Sequence, residues 1–165
     1  MKSLIAILSI LIIVGLIVGS LIQAADTATI TATVTVQNIS LSVSDGSITY
    51  GTIAQNSSKS TCDLNDTQTV TNNGNIAETF NIKGQNSANW TLADTPGTDQ
   101  YVHKFAASSC PWTNGTPLTT SYQTMATNIP PNGNSPLNLQ ITTPNPSTVF
   151  TEQSVNVTVQ AVAYQ

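Results

Sequence analysis

The sequence predicts a mainly β protein: an apolar N-terminal α-helix followed by an antiparallel β-sandwich. Three observations carry that expectation. A charge-free apolar run opens the chain, strict apolar alternation sets in near Ala28, and Gly, Pro and Asn turns then recur at short intervals with no amphipathic helical pattern after residue 25.

The opening run, Leu4 to Ile22, is nineteen residues without charge or proline. As a helix it measures about 28 Å, close to the roughly 30 Å hydrocarbon core of a bilayer. Gly15 and Gly19 lie four apart on it, a spacing that lets apolar helices pack closely. Two continuations are open. The run is a secretory signal cut near Ala24 and Ala25, or it is retained, first as a membrane anchor and then as the apolar core of a filament. Either one places the remainder outside the cytoplasm. Residues 1–25 are therefore one unit and residues 26–165 a second, long enough for a single core.

The second unit begins with a period-two stretch. Ala28, Ile30, Ala32, Val34 and Val36 alternate with Thr29, Thr31, Thr33 and Thr35, which reads as a strand with one buried face and one threonine face. ISLSVS, Asp45-Gly46 and SITYGTIA read as a hairpin; TQTVTN, Asn73-Gly74 and IAETFNIKG read as another. ANWTLA, YVHKFAA, LTTSYQTMATNI and LNLQITT are further short strands separated by Pro and Gly turns. The last, SVNVTVQAVAYQ, places Val155, Val157, Val159, Ala161 and Ala163 on one face. Eight or nine short strands of this kind predict a β-sandwich of immunoglobulin-like type.

Composition narrows the function classes. Only 7% of residues are charged, arginine is absent, and the net charge is −4, so no basic surface exists for nucleic acid. Hydration must come from hydroxyls, amides or attached sugar, and such a surface tolerates contact with its own copies. Acceptor sequons occur at Asn38, Asn56, Asn65, Asn89, Asn114 and Asn156, while Asn145 precedes proline and drops out. Cys62 and Cys110 form the single possible pair; in an exported chain they read as a disulfide, with two free thiols as the alternative.

No catalytic constellation is legible. His103, the lone histidine, has neither a nucleophile elbow nor an acid beside it, and reads as a half-buried strand residue. The acidic groups of DLND (63–66) and DTPGTD (94–99) match no calcium loop and read as turn caps. Trp112 and Tyr122 are scattered aromatics whose default role is packing. The expectation is a protein that is not an enzyme, with no metal, cofactor or small-molecule substrate.

A charge-free helix leading into a Thr/Ser/Asn-rich sandwich with sequons and a cysteine pair resembles, in layout, archaeal type IV pilins and related adhesion filaments. That resemblance implies helices bundled in a filament core, with Gly15 and Gly19 packing them, and glycosylated sandwiches outside. Around VTNNGNIAETFNIKG the chain also resembles secreted sandwich subunits of the camelysin and biofilm matrix-fibre kind. Those proteins are cut after a signal, and some assemble by donating an N-terminal strand to the next subunit; here Ala28 to Gln37 would be that strand. The expected function is a structural subunit of an extracellular filament, with itself as partner and the membrane as its station before assembly.

Overall fold

The structure, a computed structural model, describes residues 26–165. Strands account for 36% of these residues and helix for 3%. In chain order the elements are β1 (Leu41–Val43), β2 (Ser58–Ser60), α1 (Thr61–Leu64), β3 (Gln68–Asn72), β4 (Glu78–Lys83), β5 (Thr91–Leu92), β6 (Gln100–Ala106), β7 (Thr116–Pro117), β8 (Gln123–Ile129), β9 (Asn134–Thr142) and β10 (Thr158–Ala163).

Two sheets form. The larger runs β1-β3-β9-β6-β5, with β2 added on β9 and β7 on β6; the smaller runs β10-β4-β8. Period-two burial explains why their inner faces meet. In β4 the side chains of Glu78, Phe80 and Ile82 are buried while Thr79, Asn81 and Lys83 are half-exposed. Phe80, Ile82 and Met125 from the small sheet join Val70, Phe105, Leu137 and Leu139 from the large one, with Leu118, in a single apolar cluster. The arrangement is β-sandwich-like.

The expected N-terminal helix followed by an immunoglobulin-like antiparallel sandwich is corrected on several points. The helix, with Gly15 and Gly19, lies outside the described residues. The sheets are not wholly antiparallel, because β5 runs parallel to β6. Neither predicted hairpin forms. After β1 the chain turns at Asp45-Gly46, with Gly46 at φ +79°, and residues 46–57 then cross the domain without entering a sheet. The backbone N–H groups of Asp45 and Gly46 both donate to Gln68 Oε1 at 3.1 Å, so a side chain takes the place a partner strand would fill. The Asn73-Gly74 turn carries the chain from β3 in the large sheet to β4 in the small one, an arch between layers rather than a ladder within one.

The period-two stretch is the third correction. Residues 26–37 form no strand and are exposed throughout, with Ile30 and Val34 each 91% and Val36 82% accessible. The chain divides between Thr35 and Val36, and Val36–Gln165 is one compact unit. Among the described residues no helix is long and apolar enough to cross a membrane.

Candidate assembly site

Two features of the Val36–Gln165 domain lie together in the fold. The first is an anchorage for the residues ahead of β1. Asn75 receives them with both ends of its amide: its Nδ2 donates to the Val36 carbonyl at 2.8 Å and its Oδ1 accepts from the Asn38 N–H at 2.8 Å. The Asn75 N–H donates back to the Asn38 carbonyl at 3.1 Å, and that of Asn73 to the Ser40 carbonyl at 2.8 Å. Ser40 N–H donates to Glu78 Oε1 at 2.9 Å. Five hydrogen bonds from one arch therefore fix where the chain enters the sandwich.

The arch is itself held from inside. Asn72, fully buried, donates from Nδ2 to the carbonyls of Ile76 and Ile129, each at 2.8 Å, and accepts from Gly74 N–H at 2.7 Å. Gly74 is required by space: a Cβ there would run into the Asn38 carbonyl oxygen and the Glu78 carboxylate. Glu78 is 0% exposed, and its Oε2 has no hydrogen-bond partner among the described residues. The signal for this residue is present in the sequence. Glu78 shares the alternation of Phe80 and Ile82, which assigns a carboxylate to the inward face.

The second feature is an open flank. β1 is an edge of the large sheet and β10 an edge of the small one. Glu78 ties the two together, since Ser40, just ahead of β1, bonds its side chain while Ala163 in β10 pairs with its backbone. Along this flank the apolar side chains are only partly buried: Leu41, Val43 and Ile48 on one side, Val157, Val159 and Ala161 on the other. Among the described residues none of the fully buried apolar side chains comes from β1 or β10. Separately, residues 28–36 alternate apolar and threonine side chains, all of them exposed.

The other predicted residues fall elsewhere. Cys62 on α1 and Cys110 in the loop after β6 are joined as a disulfide with Cα atoms 5.6 Å apart. The sequon asparagines Asn38, Asn56, Asn65, Asn89, Asn114 and Asn156 are all exposed. They are dispersed over the domain and form no cluster in sequence or in any one sheet.

The acidic groups serve local structure. Asp63 completes a capping box on α1, accepting from the Ser60 backbone N–H at 2.8 Å and its hydroxyl at 2.7 Å, and those bonds hold its carboxyl below the usual carboxylate range. Asp99 accepts from the hydroxyl and backbone N–H of Thr148 and from Ser147, which lowers its carboxyl likewise and pins residues 147–149. No group of three or more potential metal-ligating side chains exists among the described residues.

His103 is not half-buried but 3% exposed. Its Nε2 shares a hydrogen bond with the Tyr50 hydroxyl at 3.1 Å, and its Nδ1 has no partner among the described residues. Desolvation by burial pushes the imidazole down to about 4 and the Tyr50 phenol upward. The unfolded-state value is about 6.5, so between those values the unfolded chain binds the extra proton. The His103 contribution to stability is therefore expected to fall as pH drops from about 6.5 to about 4, by about 1.4 kcal/mol per pH unit, and that contribution levels off below. Urea midpoints across this range check it; His103→Gln should flatten the slope, and an unchanged slope would refute the assignment.

What the flank of this domain offers is backbone pairing and apolar cover. Compared with protein-family models, curated proteins and solved structures, the chain matches none of them.

Proposed function

We propose that the protein is a structural subunit of an extracellular filament, exported through the membrane and joined to copies of itself by residues 28–36. The observation that carries this reading is the exposed alternation of Ile30, Val34 and Val36, directly preceding in sequence a domain that anchors residues 36–40 with five hydrogen bonds. A side chain of this size gains about 1.5–3 kcal/mol on full burial, so three of them left in water are a strong drive toward a partner surface. A period-two segment satisfies its backbone and covers one face only as a strand in a sheet, and strand addition is a recurring mode of association.

Export is supported by the disulfide, which persists in oxidising compartments. The apolar run at 4–22 would carry the chain to the membrane before assembly. Sugar on the exposed sequons would coat the outside of the filament and supply the hydration that 7% charge does not.

The test is deletion of residues 28–36 from the exported protein, followed by negative-stain microscopy and sedimentation. The parent protein is expected to form filaments and the deletion to remain a folded, disulfide-bonded monomer. Filaments that persist in the deletion variant would overturn the reading.

A further inference from the structure

Resting on that filament reading, we infer that the donated segment is received by a second copy at the outer edge of β10, where it becomes the fourth strand of the small sheet and closes the flank between β10 and β1.

The edges of the sandwich differ in how they are protected. Native sheets guard their edges with short strands, proline, charge or irregular pairing. β1 and β2 are three residues long, and β2 carries Lys59; β5 and β7 have two residues each, and β7 ends in Pro117. β8 pairs with β4 through register shifts, has Asn128 at φ +55°, and runs into Pro130-Pro131. β10 has none of these guards. It pairs with β4 residue for residue from Thr158 to Ala163, and its other edge carries no strand among the described residues. Residues 154–165 contain no charge, proline or glycine.

The faces match as well. In β10, Val159 and Ala161 lie opposite Ile82 and Phe80 and pack against the core, while Thr158 and Gln160 are exposed. A strand laid on the same sheet shares this alternation. Ala28, Ile30, Ala32, Val34 and Val36 would then point inward over Leu41, Val43 and Ile48, and the threonines would continue the polar outer face of Thr158 and Gln160. Residues 27–44 are uncharged, so no carboxylate or ammonium is taken out of water.

Reach is sufficient. Nine to twelve residues at about 3.3 Å each extend about 30–40 Å from the anchorage at Asn38, the width of a small domain.

Cysteine pairs test the edge and the parity together in the full, assembled protein. Thr31→Cys, Thr33→Cys or Thr35→Cys would be combined with Thr158→Cys or Gln160→Cys on β10, or with Thr124→Cys or Thr127→Cys on β8. After mild oxidation, β10 pairs are expected to give a ladder of covalent multimers on a non-reducing gel, with β8 pairs remaining largely monomeric. A ladder from β8 pairs alone, or a β10 bridge closed within one chain, would overturn the inference. Filaments that form with no cross-link to β10 at any of the three threonines would overturn it too, while leaving the filament reading intact. Filaments that survive deletion of residues 28–36 would instead remove the reading beneath it. Because all substituted positions are exposed, each variant is expected to keep the parent's circular dichroism.

Discussion

Replacing Cys62 and Cys110 together by serine is expected to lower the unfolding free energy by about 4 kcal/mol, the loop-closure value for the 48-residue separation that the bridge spans. The bridge restrains the unfolded chain more than it holds the native one. It joins α1, which precedes β3, to the loop that leaves β6, so reduction frees two connections of the large sheet at once. With a typical domain stable by only 5–15 kcal/mol, about 4 kcal/mol is a large share. Urea denaturation of the parent, the reduced parent and the double serine variant would check it. The latter two should agree with each other and fall well below the parent, and a double variant with the parent's midpoint would refute the claim.

Phe80→Ala is expected to cost about 3–5 kcal/mol, the range for emptying an aromatic site in a packed core. Phe80 is fully buried and belongs to β4, the central strand of the small sheet, where it lies opposite Ala161 of β10 and Ala126 of β8. Its neighbours across the strand pairs are alanines, so little side-chain volume is at hand to fill the void. The same substitution should loosen β10, because the inner face of that strand rests on Phe80 and Ile82. Amide exchange at residues 158–163 is expected to quicken before global unfolding, and the urea midpoint reports the overall loss. Protection at β10 equal to that of the parent would show that this strand draws its stability from elsewhere.

Much of the β content was legible because alternation is a local property. The runs that became β3 and β4 show period-two burial throughout and β10 over its first four residues, as their apolar spacing requires, whereas β9, paired on both edges, is buried continuously from Leu137 to Leu139. The disulfide was legible from the cysteine count, since Cys62 and Cys110 are the single possible pair. The turns were placed correctly at Asp45-Gly46 and Asn73-Gly74, but their partners were not. A tight-turn dipeptide specifies a reversal, whereas the sheet that the next strand joins depends on which face is already occupied. At Asn73-Gly74 the buried amide of Asn72 donates to the Ile129 carbonyl of a distant strand, and β4 joins the other sheet, so the turn is an arch.

Residues 28–36 show the limit most sharply. Their pattern states that one face seeks cover, and it says so irrespective of whether the cover comes from the same chain or from another. Periodicity therefore determined that this segment alternates apolar and threonine side chains and that the chain is mainly β, and composition determined that no charge opposes the segment's burial. Only the tertiary structure decided that the segment forms no strand and is exposed, and that β10 presents an unguarded edge. Strand partners are chosen by long-range backbone hydrogen bonds, and these belong to the folded arrangement, not to the order of side chains along the chain.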